Sequence, residues 1–220
     1  MYLTRFQINT ARRGARKLLA SPQAMHAAVL ASFADPAAHN RDGARTLWRV
    51  DNGPLAQSTL YIASPTKPDL THLVEQAGWP TTDTWRTRPY DSFLNSLQPG
   101  QQWAFRLTAN PTRNGRSPKH SDTRRFGHVT VDQQQDWLLR RAKDAGFEVT
   151  TDQPGERDLI VHSRITRQFK RSAGTITLRM ATYDGRLEVT NAEALRTTLT
   201  AGIGHAKAYG CGLLTLAPAG

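Results

Sequence analysis

Hydrophobic positions recur along this chain with two periods. MYLTRFQI alternates, with Tyr2, Phe6 and Ile8 on one face, and reads as a strand. Ser21-Pro22 carries the signature of a helix cap followed by a first helical residue, and Met25, Val29 and Phe33 continue it as an apolar stripe. TLWRV and STLYIA read as two strands about a Gly-Pro turn. DLTHLVEQAG reads as a short helix stopped at Gly78, and a weakly marked strand near Trp85 closes the unit. The order is β-α-β-β-α-β.

Thr81 to Gly100 is polar and rich in Thr and Pro, and a domain boundary is expected there. The pattern then restarts. QQWAFRLTANP alternates, with Trp103, Phe105 and Leu107 on one face, and DQQQDWLLRRAKDAGF is helical. DLIVHSRITRQFK and GTITLRMATYDGRLEV read as strands joined near Ser172–Gly174. TNAEALRTTLTAG opens with a T-x-x-E capping box, Thr190 and Glu193, and CGLLTLAP is a final strand. The expected fold is α+β: two tandem ferredoxin-like (RRM-like) βαββαβ domains, over 1–90 and 91–220.

Charge adds a partner class. The 220 residues carry a formal net charge of +11, which favours phosphate polyanions and anionic surfaces. No run approaches a membrane span, and the first residues lack the apolar core of a signal peptide. A lone Cys211 offers neither an internal disulfide nor a cysteine-rich zinc site. The expectation is a cytoplasmic protein with no membrane partner.

Three features carry candidate chemistry. GIGHAKAYGCGLLTLAP places Gly202, Gly204, Gly210 and Gly212 beside His205, Lys207 and Cys211. Such a segment is either a helix cap with a tight turn or a backbone surface for a ligand, with Lys207 as a point charge; it is not a Walker loop. Two basic clusters follow the same logic: Arg12, Arg13, Arg16 and Lys17 near the start, and Arg164, Arg167, Lys170 and Arg171 around the turn of a hairpin. Each alone reads as a solvated face; together with the net charge they favour one long polyanion. His26 lies one residue past Met25, at the edge of the apolar stripe, where an imidazole titrates near neutrality. The remaining histidines show no metal spacing, so no metal and no cofactor are expected.

These pieces resemble the CasE (Cse3) family of CRISPR-associated endoribonucleases. The likeness runs over the whole chain and rests on MYLTRF, SPQAMH, FRLTANP, WLLRRAKDAGF, YDGRLEVT and, above all, the C-terminal GIGHAKAYGCGLLTLAP. The resemblance implies tandem ferredoxin-like domains and metal-independent cleavage of precursor CRISPR RNA at the 3′ base of a repeat hairpin. The 2′-OH attacks, leaving a 2′,3′-cyclic phosphate and a 5′-hydroxyl, and the enzyme stays on its product within the Cascade complex. It assigns acid or base catalysis to His26, a catalytic or RNA-binding part to Lys207, and RNA contacts to the glycine loop (Gly202, Gly204, Gly210) and both basic clusters. Two positions depart from the pattern: Gln23 stands where some relatives have a tyrosine, and His205 where a proline is common. The rival readings are a non-catalytic hairpin-binding module and a basic protein of ribosomes or DNA.

Overall fold

A computed structural model describes the chain except residues 36–44, 54–56, 81–83, 118–119, 154, 172–173 and 220. The first sheet contains β1 (Tyr2–Asn9), β2 (Leu47–Asn52), β3 (Gln57–Ser64) and β4 (Trp85–Pro89) in the order β2-β3-β1-β4, all antiparallel. Phe6, Ile8, Trp48, Leu60 and Ile62 project from one face onto α1 (Arg13–Ala20), α2 (Pro22–Leu30) and α3 (Thr71–Ala77). Met25, Val29 and Phe33 are buried as the stripe predicts, although α2 ends at Leu30 and Phe33 lies in the turn beyond it.

The second sheet repeats this order. β5 (Gln102–Ala109), β11 (Leu159–Arg171), β12 (Gly174–Val189) and β13 (Leu214–Pro218) lie as β11-β12-β5-β13. Phe105, Leu107, Ala181 and Tyr183 face α5 (Val131–Ala142) and α6 (Ala192–Ala201). The alternate residues Arg106, Thr108, Thr182 and Asp184 therefore belong to the opposite face, because successive strand side chains alternate. This is the two-domain ferredoxin-like arrangement expected from the element order.

Four differences from the sequence reading have local causes. The basic run Arg13–Lys17 lies within α1, which buries only Ala15 and Leu18 and packs Leu19 against the core's edge. In the Thr- and Pro-rich connection, α4 (Asp91–Ser96) buries only Leu94, too little to show a period. A hairpin of β6 (Thr112–Ser117) and β7 (His120–Gly127) and the short strands β8 (Phe147–Val149), β9 (Thr151–Gln153) and β10 (Glu156–Arg157) lack clear apolar alternation. The cap of α6 is not Thr190: Asn191 Oδ1 accepts from the Ala194 amide at 3.0 Å, one residue later than the capping box predicts. The Thr190 amide donates instead to the Gly146 carbonyl.

Arg49 joins the domains. It is 2% exposed and donates to the carbonyls of Arg106 and Leu213, the Thr215 hydroxyl and both carboxylate oxygens of Asp51. One planar guanidinium thereby bonds β2 to β5 and β13, an array that a single ammonium point charge does not match.

Candidate active site

The N-terminus of α2 is set by local chemistry. Ser21 Oγ accepts from the Ala24 amide at 3.2 Å, and Pro22 occupies a first-turn position where a missing N–H costs nothing. Met25 anchors the helix in the core, which leaves His26 half-buried at its edge. Trp48 Nε1–H donates to His26 Nδ1 at 3.4 Å. Burial lowers the His26 pKa, favouring the neutral ring near pH 7. Gln23 is exposed.

The terminal glycines answer a backbone demand. Gly202, Gly204, Gly210 and Gly212 all have positive φ, from 74° to 92°. Three also lie against large side chains: an added Cβ would meet Leu47 at Gly202, Trp137 at Gly204 and Trp48 at Gly210, each within 3.0 Å. These contacts supply a packing reason for the glycines independent of any ligand. Between them, Lys207–Tyr209 forms a single 3-10 turn that packs on α2. Trp48 is thus wedged between His26 of the first domain and Gly210 of the second.

The turn carries the remaining chemistry. Lys207 is half-buried; its pKa is lowered by burial and then by the charge of Arg45. His205 is exposed and its pKa is also lowered, by desolvation first and then by Arg125, Arg141 and Lys207. Tyr209 packs on Phe169 of β11 with ring centroids 4.9 Å apart, so the basic hairpin reaches the glycine loop.

The cations divide by what they touch. Arg12 donates to the carbonyls of Val74 and Gly78 at 3.0 and 3.1 Å, closing the end of α3, and Arg16 donates to the Ala11 carbonyl at 2.6 Å. Arg13 and Lys17 are exposed. Arg164 donates to the Val129 carbonyl, whereas Arg167 donates to Leu19 and Ala20 at the end of α1. The side chains of Lys170 and Arg171 lie outside the described residues. Sequence reading passed over the β6–β7 hairpin, where Arg113 lies over the Phe126 ring and Arg125 acts on His205. It also passed over Trp48, whose only local signal is an aromatic inside the apolar run TLWRV.

Between the domains lies a cleft of about 350 Å³ with Met25, Trp48, Tyr209 and Gly210 in its wall and Asp51, Arg106 and His162 among its polar groups. These charges are chained: Arg106 bonds Asp184 at 2.6 Å and approaches Asp51 at 3.6 Å, and His162 Nε2 lies 3.1 Å from Asp184. A neutral imidazole, a lysine of lowered pKa and a cationic surface are together suited to proton transfer and charge stabilisation at a phosphate.

The sequence model of a family described as CRISPR associated protein matches residues 1–218. The chain is 29% identical over 226 residues to the CRISPR-associated endoribonuclease Cse3 of Thermus thermophilus, covering 99% of this chain and all of that protein. A structure of CRISPR endoribonuclease Cse3 bound to a 19-nucleotide RNA superposes with a TM-score of 0.83 at 28% identity, covering 99% of this chain and all of the other. Thermus thermophilus Cse3 bound to an RNA representing a pre-cleavage complex gives 0.81 at 29% identity, covering 99% and 98% of the two chains.

Proposed function

We propose a function from one premise: the chain belongs to the CRISPR-associated protein family, and within it to the CasE (Cse3) endoribonucleases. It is an endoribonuclease that binds the CRISPR repeat hairpin and cuts precursor CRISPR RNA at the 3′ base of the stem. It then remains on the product as a subunit of Cascade. The domain over 1–90 supplies His26, and the domain over 91–220 supplies the glycine loop and the basic hairpin.

In the reaction, the 2′-oxygen upstream of the cut forms a bond to phosphorus while the bond to the 5′-oxygen breaks. The 2′-OH proton passes to a base, and a proton is supplied to the leaving oxygen. The products are a 2′,3′-cyclic phosphate and a 5′-hydroxyl. His26 serves as general acid or base, a contribution of roughly 10²–10⁴-fold. Lys207 and the loop amides stabilise the phosphorane charge. Arg13, Lys17 and Arg164, together with Lys170 and Arg171, meet RNA phosphates. The grooves of an A-form stem favour reading by shape and backbone.

The observation that carries this reading is the docking of α2 on the Lys207–Tyr209 turn through Trp48 and Gly210, which unites two motifs from opposite ends of the chain. The route requires no metal, and among the described residues no three His, Cys, Asp or Glu side chains group as metal ligands. Pure protein incubated with its repeat hairpin in excess EDTA is expected to cut it once, at the stem base. Binding without cutting, with or without added magnesium, would identify a non-catalytic hairpin-binding protein instead.

A further inference from the structure

We propose that Trp48 is a positioning residue for His26: its indole N–H selects the imidazole tautomer that carries its proton on Nε2, so His26 faces the RNA as a hydrogen-bond donor. This rests on the catalytic assignment of His26 above.

The argument begins with donors and acceptors. An indole nitrogen only donates. A bond from Trp48 Nε1 to His26 Nδ1 therefore requires a lone pair on Nδ1, and in a neutral imidazole the proton then sits on Nε2. Nε2 has no protein partner among the described residues. It remains available to an oxygen of the scissile phosphate or of the leaving group, and in this tautomer it cannot take the 2′-OH proton. Accepting that proton falls to another group.

The placement of Trp48 makes the selection firm. The ring is 4% exposed. It is held on its far side by Gly210, where even one added carbon would come within 2.7 Å of it. Protonating Nδ1 would set N–H against N–H and cost the Trp48 donor its acceptor. The bond thus favours the neutral ring, in the same direction as burial. The titratable groups on the elements packed against α2 are Arg13, Arg16 and Lys17 of α1, His72 and Glu75 of α3, Arg49 and Asp51 of β2, and Lys207 and Tyr209 of the turn. No charge among them contributes to the His26 shift, whose cause is desolvation.

The test is nitrogen-15 NMR of histidine-labelled protein, free of RNA, with Trp48→Phe as the comparison. Phenylalanine keeps an aromatic ring at this position and removes the donor together with the outer edge of the indole that meets Gly210. In the wild type, His26 is expected to show a pyrrole-like Nε2 and a pyridine-like Nδ1, and the Trp48 indole proton should shift with the His26 titration. In Trp48→Phe the tautomers should mix and the titration midpoint should rise. Single-turnover cleavage should slow by about tenfold or more while hairpin affinity changes by less than about twofold, as expected for a lost transition-state contact. If Trp48→Phe fails to fold, the wild-type nitrogen pattern and the indole titration decide alone. A protonated Nδ1 or mixed tautomers in the wild type, or a variant with unchanged tautomer and midpoint, would overturn the proposal while leaving the nuclease reading intact. Conversely, retention of cleavage by His26→Ala would remove the catalytic assignment without touching the NMR result.

Discussion

The guanidinium of Arg167 closes the C-terminal end of α1, donating to the Leu19 carbonyl at 3.1 Å. A residue of the basic hairpin in the second domain thus holds a helix of the first. Arg164, on the same strand, is exposed. The two arginines should separate by experiment. Arg164→Ala is expected to make the slope of log K against log salt shallower by about one unit, the signature of one lost phosphate contact. Arg167→Ala should lower Tm by about 2–4 °C, from loss of about 1 kcal/mol of hydrogen bonding. Titrations of hairpin binding against salt, and thermal melts of both variants, check this; equal melts would deny Arg167 its docking role.

His26→Ala should lose cleavage by roughly 10²–10⁴-fold and keep hairpin affinity, since one imidazole contributes little to a phosphate-dominated interface. Single-turnover rates measured beside filter-binding affinities give the comparison. A variant cutting at a tenth of the wild-type rate would move the catalytic role to another residue.

A hairpin with a single 2′-deoxy nucleotide upstream of the cut should bind normally and stay intact. The upstream product of unmodified RNA should end in a 2′,3′-cyclic phosphate, or the 3′-phosphate it opens to, and the downstream product should begin with a 5′-hydroxyl. Mass spectrometry of the products identifies both termini. Cleavage of the deoxy substrate would mean that water, not the 2′-oxygen, is the nucleophile.

Gly210 and Gly100 form a matched pair, with φ of 81° and 83°. Alanine at either meets the left-handed backbone penalty of about 1–2 kcal/mol. An added Cβ has nothing within 4 Å at Gly100 but strikes the Trp48 ring at Gly210. Gly210→Ala should therefore depress the cleavage rate, and Gly100→Ala should not. Equal rates would separate Trp48 placement from catalysis.

Removing Arg49 should be the most destabilising change of these. Arg49→Ala leaves the Asp51 carboxylate only the more distant Arg106, at 3.6 Å, and frees two carbonyls, a loss of about 3–5 kcal/mol and on the order of 10 °C in Tm. Arg49→Lys should recover only part of it, because one ammonium cannot reach all four partners. A drop below about 2 °C in circular-dichroism melts of Arg49→Ala would show that these bonds contribute nothing net.

Much of the architecture was readable from local pattern. The strand periods of MYLTRFQI and QQWAFRL, the Ser21-Pro22 helix start and the Gly78 stop depend on side chains near in sequence, so a local reading suffices. Short elements failed that test. α4 buries one leucine, and the β6–β7 hairpin is largely polar, so neither leaves a hydrophobic period to detect. The T-x-x-E match at Thr190 misled because Asn191 beside it is an equally competent cap, and a motif alone does not choose between adjacent oxygens.

The candidate site divides along the same line. Residue chemistry offered His26, Lys207, the glycines and the cations as candidates, because an imidazole at a stripe's edge, a glycine cluster and a charge excess are visible in composition and spacing; the family resemblance gave them roles. Tertiary structure alone decided what each one touches. Trp48 meets His26 and Gly210, Arg49 bridges two sheets, and Arg12 and Arg167 are drawn onto helix-end carbonyls. These contacts join residues far apart in the chain. They follow from how two domains close on one another, and no local period of 2 or 3.6 residues encodes that geometry.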